Sequence, residues 1–518
     1  MSRKLFNPKV LIPTLAPAAP LNENFTEEQL TIFSTFDKLF ETNSKGKLVV
    51  NSLAGTGKTS SILSLAKQNS DKSFLMVCFN AKNAEELNHR ALGNGIANLQ
   101  ALTLNKIAYD WLVRNTRTYP KPFIPVDWLQ ENVVSSLNVS NKLEENISWK
   151  LSALMKAYFN SSYLSCEEFL TDYEITFSKD SSYSDTEETF QAFQALRYYC
   201  EKFFNLHDIK GTPVSFEASL KLYQLYNGQF PSTDVIIVQE YQDINSVQAR
   251  IIAQQQAFIV AIGDLYQDIY SWRGSGEFIE IVSKERWPEL SLSTSFRVNE
   301  KDAILANKIL SYLGSKIPLK GISKKQEVET TAYLFRTNAA ALLTASQLLD
   351  EGEEFKLTLD LKAIWDELWY VHFLLQNKIK GKKAPATIGW IKTKEAFLKA
   401  IEYSSEIKRY HSLYTLISQK EGGLYGMQKK FNALAERTEN KVLPITISTC
   451  HKAKGLEWDL VILGEDLYEE TENFGNHEGA KSESEYMEFL RLLYISVTRA
   501  KVRTEMSQEL YQYIAYIS

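Results

Sequence analysis

The feature that most constrains this chain is a strand–loop–helix stretch centred on Lys58, in which a short apolar run meets a loop of small residues. Gly55 and Gly57 let backbone N–H groups turn toward one point, where the helix N-terminus adds a positive dipole end. Lys58 can then reach the β- and γ-phosphates of a nucleotide, and the Thr59 hydroxyl can hold Mg²⁺. Ser52 stands where the first glycine of such loops is usual. A plain glycine turn does not explain the Lys–Thr pair, so the stretch predicts a nucleotide site.

Composition narrows the class of protein. The chain has 518 residues, and we expect several units because single cores stop growing near ~250–300 residues. A net charge of −5 gives no global positive field, so any nucleic-acid contact must be a local groove. The four cysteines form no Cys-x-x-Cys pair, which favours a reducing compartment and argues against a structural zinc or iron–sulfur site. No apolar run reaches the ~20 residues that span a bilayer. We therefore predict a cytoplasmic or nucleoid-associated enzyme.

Buried-strand patterns alternate with helical patterns through much of the chain. Apolar strands at 73–79, 234–238 and 257–262 predict an α/β fold with parallel sheets and ligand sites at the carboxyl ends of the strands. Residues 112–225 and 345–440 instead repeat at helical spacing and predict helical insertions.

Two charged segments are explained most simply as solvent-exposed loops. The acidic segment 465–488 is most simply a solvated loop. A basic patch is better explained as a solvated loop than as a contact with duplex DNA, and its residues are Lys378, Lys380, Lys382 and Lys383.

Polar residues follow several of the predicted strands. Glu240 ends a strand at a position where a metal–phosphate site needs a carboxylate. The segment 267–274 combines Gln, Tyr, Trp and Arg, as expected for a phosphate sensor joined to a base-stacking platform. Gln29 lies at a helix start, where it can cap the helix or read an adenine edge.

Five motifs in this order resemble those of the UvrD/Rep-type superfamily 1 DNA helicases, namely residues 54–59, 240–243, 269–274, 454–457 and 497–500. The compact spacing and the Phe79–Asn80 loop are similar to the F-box DNA helicase branch of that family. The matching residues run from Gln29 to Arg499 and cover nearly the whole chain.

The resemblance implies two RecA-like domains with parallel sheets, ATP in the cleft between them and single-stranded DNA across their top. It divides the chain into an extended lead-in at 1–22, a first RecA-like domain at 23–111 and 226–292, a helical accessory insertion at 112–225, a second RecA-like domain at 293–345 and 441–518, and a small helical insertion at 346–440.

The resemblance also implies roles for individual residues. Glu240 would polarise the attacking water. The implied catalytic residues are Lys58, Glu240, Gln267, Arg297 and Arg499, the last three at the γ-phosphate. ATP would be bound by Gln29 and Phe296 at the adenine, Glu457 at the ribose, and Ala54, Gly55, Thr56, Gly57, Lys58, Thr59 and Ser60 at the phosphates. Mg²⁺ would be bound by Thr59, Gln239 and Glu240.

For DNA, the implied contacts are Phe79, Asn80, Thr103, Asn105, Tyr270, Trp272, Thr449 and His451. Asn105 stands where the family usually has a histidine. Movement would be 3′ to 5′ on single-stranded DNA and at junctions with duplex. There is no nuclease signature, so any cutting activity would come from a partner nuclease or another effector subunit.

One departure from the family is serious, because Gln239 replaces the aspartate of the Walker B pair. An amide keeps an acceptor oxygen but loses the charge that anchors Mg²⁺. An ATP-gated DNA-binding protein with little or no hydrolysis is therefore the alternative function. A small P-loop kinase is disfavoured, because it leaves the motifs at 269–274 and 454–457 unexplained. The motifs do not separate repair, recombination, replication and phage defence.

Overall fold

The computed structural model describes residues 21, 24–116, 141–177, 187–203, 214–269, 276–382, 385, 388, 391–403, 405–420, 422–438, 441–475 and 482–517. The chain divides into two compact units. The first comprises Met1–Ser52 and Gly57–Leu292, and the second comprises Leu53–Thr56 and Ser293–Ser518. The lead-in predicted at 1–22 lies almost wholly outside the described residues.

The first unit is built on a parallel sheet. Its strands in the described residues are β1 Lys47–Ser52, β2 Phe74–Cys78, β3 Leu99–Thr103, β4 Val235–Gln239, β5 Phe258–Gly263 and β6 Glu289–Leu292. They lie in the order β3-β2-β4-β5-β1-β6, and every neighbouring pair is parallel. The carboxyl ends of β1, β2, β4 and β5 therefore meet at one edge of the sheet.

Helices connect these strands and cover both faces of the sheet. They are α1 Glu27–Thr42, α2 Lys58–Gln68, α3 Ala81–Gly93, α4 Leu104–Thr116, α5 Asn141–Asn160, α6 Cys166–Phe177, α7 Glu187–Phe203, α8 Phe216–Leu225, α9 Ser246–Ala253 and α10 Glu277–Lys284. Successive strand residues are buried on opposite faces, as Ile236 packs in one core cluster and Ile237 in the other. This two-sided burial is the reason that the strands are nearly continuous apolar runs. Helices α5 to α8 form a separate hydrophobic cluster with the end of α4.

The second unit has its own parallel sheet. Two short strands, β7 Thr294–Ser295 and β8 Lys320–Gly321, pair with each other. The main sheet has the order β10-β11-β9-β12-β13, and its strands are β9 Thr331–Phe335, β10 Lys356–Leu357, β11 Ile445–Thr449, β12 Trp458–Leu463 and β13 Ala500–Glu505. The α/β fold with parallel sheets, predicted from the strand patterns, is confirmed.

The helices of the second unit are α11 Glu300–Tyr312, α12 Asn338–Asp350, α13 Leu361–Leu375, α14 Lys394–Tyr403, α15 Ser405–Gln419, α16 Gly423–Thr438, α17 Asp466–Gly475, α18 Glu483–Val497 and α19 Gln508–Tyr516. Helices α12 to α16 share one core cluster with the end of β9. No helix within the described ranges is long and apolar enough to cross a membrane.

The interpretation of 465–488 as a solvated loop is wrong for its described parts, which are the helix α17 and the start of α18. Ser482 caps α18, and the backbone N–H of Ser482 donates to the side chain of Glu485, which closes a capping box. Acidic residues favour the first turn of a helix because they face its positive end. In the basic patch, Lys378, Lys380 and Lys382 are exposed after α13, and Lys383 lies outside the described residues.

A buried lysine stands out in the helical cluster of the first unit. Lys221 on α8 is fully buried, and its ammonium lies 4.5 Å from the centre of the Tyr158 ring. It donates to the Ser161 carbonyl at 3.0 Å, to Gln224 Oε1 at 2.9 Å and to the Tyr163 carbonyl. Burial lowers the pKa of this ammonium to about 7, although neighbouring cysteines and Glu277 oppose the shift. The Lys221 ammonium has hydrogen-bond acceptors, yet burying its charge still costs free energy of folding.

We expect this burial to make stability depend on pH. In the unfolded chain Lys221 regains its ordinary pKa of about 10.4, so above pH 7 the unfolded state binds more protons and the free energy of unfolding rises with pH. Raising the pH from about 7 to about 9 should therefore increase the free energy of unfolding of the parent more than that of Lys221→Met, by at most about 1.4 kcal/mol per pH unit. Urea unfolding at the two pH values measures this difference. Lys156→Met, on an exposed lysine of the same cluster, should follow the parent. An equal pH response in parent and Lys221→Met would contradict the assignment.

Candidate functional site

The loop before α2 has the backbone of an anion-binding turn. Gly55 and Gly57 have φ of +72° and +83°, in the left-handed region that favours glycine. Gly57 is the N-cap of α2 and provides no side-chain cap, so the first N–H groups of the helix lack a side-chain acceptor. Such an end is suited to a phosphate. Lys58, Thr59 and Ser60 form the first turn of α2.

Lys58 faces the carboxylate that follows β4. Its ammonium lies 3.4 Å from Glu240 Oε1, with both side chains mostly buried. Glu240 has φ of +50°, a conformation that non-glycine residues rarely adopt. The Gln242 amide donates to Glu240 Oε2 at 2.9 Å. The carboxylate is therefore held from two sides in a strained turn.

Gln267 belongs to the same sheet edge, in the short turn Leu265–Gln267 that follows β5. Its Nε2 donates to Asp264 Oδ2 at 2.7 Å, and the N–H of Tyr266 donates to Asp264 Oδ1 at 3.1 Å. The Asp264 N–H in turn donates to Gln242 Oε1 at 3.1 Å. A continuous chain of polar contacts thus runs from Lys58 to Gln267 within the first unit.

The residues predicted for Mg²⁺ supply few charges. Gln239 is the last residue of β4 and lines a small cavity of about 20 Å³ with Phe79 and Glu240. The described residues contain no group of three or more His, Cys, Asp or Glu that could hold a metal. Thr59, Gln239 and Glu240 are nonetheless oxygen donors, which Mg²⁺ prefers, and one carboxylate suffices where phosphates and waters complete the shell. These residues fit a Mg²⁺ ion that arrives with a nucleotide.

Gln29 is a capping residue in this structure. Its Oε1 accepts from the Thr26 N–H at 3.0 Å, which completes a capping box at the start of α1. Its Nε2 donates to Ser61 Oγ at 2.9 Å, and that hydroxyl donates to the Gly57 carbonyl at 3.0 Å. The side chain is buried and connects α1 to the phosphate loop. The adenine contact of Gln29 stays a prediction.

Part of the phosphate loop packs within the second unit, to which Leu53–Thr56 belongs. The Phe296 N–H donates to the Gly55 carbonyl at 2.9 Å, and the Tyr494 hydroxyl accepts from the Ala54 N–H at 3.0 Å. A Cβ on Gly55 would lie 2.5 Å from Ser295 Oγ, so only glycine fits there. The Phe296 ring is 41% exposed and remains available for stacking.

Arg297 and Glu457 form an ion pair in the second unit. Arg297 Nη2 lies 2.7 Å from Glu457 Oε2, and Lys501 Nζ lies 2.8 Å from Oε1. Burial would raise the pKa of the Glu457 carboxyl, but the charges of Arg297 and Lys501 and their hydrogen bonds lower it to about 2. The residues predicted for γ-phosphate and ribose therefore neutralise each other here.

Arg499 is buried and bound to its own unit. Its guanidinium donates to the Ile495 carbonyl at 3.0 Å, to the Leu456 carbonyl at 3.3 Å and to Thr498 Oγ1 at 3.4 Å. In this structure it therefore joins the end of α18 to the segment before β12. Its contact with a γ-phosphate stays a prediction.

The predicted DNA residues of the first unit follow β2 and β3. Phe79 is 48% exposed, and Asn80 caps α3 by accepting from the Asn83 N–H at 2.8 Å. Thr103 Oγ1 accepts from the Lys106 N–H at 3.1 Å. Asn105 Oδ1 is buried without a hydrogen-bond partner. Tyr270 and Trp272 lie outside the described residues.

Thr449 and His451 lie at the end of β11 in the second unit. Thr449 is buried, and its hydroxyl accepts from the Lys452 N–H at 3.4 Å. Burial, with a smaller effect of the Arg336 charge, lowers the pKa of His451 to about 4. The imidazole is therefore neutral at physiological pH and can act only through hydrogen bonds or stacking.

Sequence reasoning missed three residues with structural roles at these sites. Gln242 and Asp264 form the polar chain of the first unit, and Lys501 forms the second ion pair of Glu457. Gln242 lies inside a recognised motif, which was the available signal. Lys501 follows the last motif by one residue and carried no comparable signal.

Comparison with known proteins gives a consistent result. Residues 36–285 match the UvrD/REP helicase N-terminal domain. The chain is 24% identical over 525 residues to F-box DNA helicase protein 1 of Schizosaccharomyces pombe, which covers 93% of this chain and 57% of that protein. It is 25% identical over 522 residues to F-box DNA helicase 1 of Gallus gallus. That alignment covers 91% of this chain and 48% of the relative.

A further match is to ATP-dependent DNA helicase UvrD2 of Mycobacterium tuberculosis, 24% identical over 329 residues that cover 52% of this chain and 47% of the relative. The chain thus spans about half the length of the curated relatives it matches. The resemblance to UvrD-like superfamily 1 helicases that the ordered motifs predict is confirmed by these matches.

Proposed function

We propose that this chain is an ATP-dependent DNA translocase and helicase that moves 3′ to 5′ on single-stranded DNA. The observation that carries the proposal is the polar chain from Lys58 through Glu240, Gln242 and Asp264 to Gln267. It combines a phosphate-binding cation, a carboxylate that can polarise water and a side chain suited to sensing the γ-phosphate. The DNA helicases among its relatives support the choice of DNA as the track.

In this proposal, the first unit performs the chemistry. Lys58 exchanges its contact with Glu240 for the phosphates of ATP, and the freed carboxylate orients a water molecule for in-line attack. The N-terminal N–H groups of α2 stabilise the negative charge that develops on the phosphate oxygens. A bound Mg²⁺ would neutralise phosphate charge, with Thr59, Gln239 and Glu240 as the residues that hold it.

The second unit contributes arginines and the stacking ring. Arg297 leaves Glu457 to meet the γ-phosphate, Phe296 stacks on the adenine, and Glu457 is then free to bind the ribose. Arginines that stabilise a phosphoryl transition state accelerate related reactions by ~10³–10⁵-fold. The exchange of Arg297 between a carboxylate and a phosphate would make the state of this unit depend on ATP. A nuclease or effector partner stays a prediction from the sequence alone.

The alternative function is an ATP-gated DNA-binding protein that hydrolyses poorly, and Gln239 is the observation that favours it. With one carboxylate near Lys58, the site has a balanced charge but a weakened Mg²⁺ anchor. This alternative requires ATP to change DNA affinity without turnover. Appreciable release of phosphate by the parent chain would exclude it.

Introducing a carboxylate at 239 should raise hydrolysis. Because the Walker B aspartate holds Mg²⁺ mainly through water, we expect Gln239→Asp to increase DNA-stimulated kcat by about 10–100-fold and to lower the Mg²⁺ concentration needed. The measurement is phosphate release with and without single-stranded DNA, followed by strand displacement on substrates with 3′ or 5′ tails. Gln256→Asp, at an exposed position of the same unit, controls for the added charge. If Gln239→Asp shows no DNA stimulation, the proposed function fails.

The Phe79 ring should contribute to DNA affinity. Stacking on a base is worth about 1–3 kcal/mol and tolerates any sequence, so Phe79→Ala should weaken binding of single-stranded DNA about 5–150-fold regardless of base composition. Fluorescence anisotropy with labelled oligonucleotides measures this. Leu92→Ala removes a similarly exposed apolar side chain from the end of α3 and should leave the affinity unchanged. Equal losses in the two variants would argue against a stacking role.

A further inference from the structure

We infer that Gln242 is a positioning residue that couples the hydrolytic carboxylate to the turn carrying Gln267. The inference rests on the proposed function and adds to it a residue to which the ordered motifs assign no role. It concerns contacts within the first unit only.

Gln242 is fully buried and both ends of its amide are used. Its Nε2 donates to Glu240 Oε2 at 2.9 Å, and its Oε1 accepts from the Asp264 N–H at 3.1 Å. A Cβ on Gly263 would lie 2.1 Å from this Oε1, so the glycine keeps open the space that the amide occupies. The side chain therefore bridges the loops that follow β4 and β5.

At one end of this bridge, the orientation of Glu240 depends on Gln242. Lys58 engages Oε1, and Gln242 engages Oε2. When Lys58 turns to the phosphates of ATP, Gln242 still holds the carboxylate through Oε2. Gln242 thereby keeps Oε2 of Glu240 occupied and leaves Oε1 directed at the position that Lys58 vacates.

At the other end, the bridge meets the N-cap of the turn Leu265–Gln267. Asp264 binds Tyr266 N–H through Oδ1 and Gln267 Nε2 through Oδ2, so this turn moves as one hydrogen-bonded piece. A shift of the turn when Gln267 meets the γ-phosphate, or when DNA is bound further along the same segment, displaces the Asp264 N–H. Gln242 transmits that displacement to Glu240.

The competing explanation is that Gln242 is only a buried glutamine that satisfies backbone groups. The chain offers a matched control for this role in Gln255, which is also buried in the first unit. Gln255 accepts from the Phe230 N–H at 2.9 Å and donates to the carbonyls of Ile251 at 2.8 Å and Gly228 at 3.2 Å. It has the same chemistry and burial but no contact with Glu240.

The test compares Gln242→Met with Gln255→Met, in the parent chain and in the Gln239→Asp chain. For each protein we would measure phosphate release with and without single-stranded DNA, binding of a fluorescent ATP analogue, DNA affinity and melting temperature. Methionine has a similar shape, but it cannot donate to Glu240 and its sulfur is only a weak acceptor for the Asp264 N–H.

If Gln242 positions Glu240, Gln242→Met lowers DNA-stimulated kcat by about 10–100-fold while the KM for ATP and the affinity for DNA change less than about threefold. The ratio of stimulated to basal rate falls toward one. Gln255→Met lowers the melting temperature but keeps that ratio. Gln242→Glu, which retains the acceptor for Asp264 but places a second carboxylate beside Glu240, loses more rate than Gln242→Met.

Two outcomes overturn the inference while leaving the proposed function intact: Gln242→Met retains the stimulation ratio, or Gln255→Met loses it equally. If the Gln239→Asp chain with Gln242 intact shows no DNA stimulation, the proposed function fails first and the inference fails with it.

Discussion

The constraint on which the candidate site depends is that parallel strands end at one edge of a sheet. The loops after β1, β4 and β5 carry the phosphate turn, Glu240 and Asp264, and the register of these strands brings their ends level, with Asn51 opposite Gly263 and Gln239 opposite Ile262. Lys58 and Glu240, which are far apart in the chain, thereby come within 3.4 Å of each other. The buried apolar strands therefore determine where the polar residues that follow them lie.

The charged residues of the candidate site are paired within each unit. Lys58 pairs with Glu240, and Arg297 and Lys501 pair with Glu457 in the other unit. Each pair compensates a partly buried charge, whereas an isolated charge at that depth would cost free energy. In the proposed function, a nucleotide would compete with these carboxylates for Lys58 and Arg297. The displaced carboxylates would then be available for water or ribose, which would link nucleotide binding to activation.

Much of this could be predicted from the sequence, because short-range rules govern it. The glycines at 55 and 57, the lysine that opens α2 and the strand patterns were all visible, since positive φ and two-sided burial leave clear residue signatures. The helical parts of 465–488 were missed because the density of acidic residues suggested solvation, while the capping box at Ser482 shows that the same charges favour a helix start.

Contacts between distant segments were beyond sequence reasoning. Gln29 could have capped its helix or faced a ligand, and only its hydrogen bond to Ser61 shows which group its amide meets here. Arg499 belongs to a recognised motif, but the carbonyls that receive its guanidinium come from the fold around α18. The same holds for Gln242, whose two partners lie on different loops. A motif identifies such residues without indicating their partners.

Gln239 acquires a physical meaning from this arrangement. With aspartate there, Lys58 would face two carboxylates, and the site would carry a net negative charge before ATP arrived. With glutamine, Lys58 and Glu240 balance one to one. In the proposed function, the incoming triphosphate would then meet less repulsion, whereas Mg²⁺ would lack the charge of an anchoring aspartate. Gln239 would therefore weaken hydrolysis more than binding, since binding would depend on the phosphate turn and Lys58, whereas transfer of the phosphoryl group would require the metal, the water and Glu240 to be aligned together.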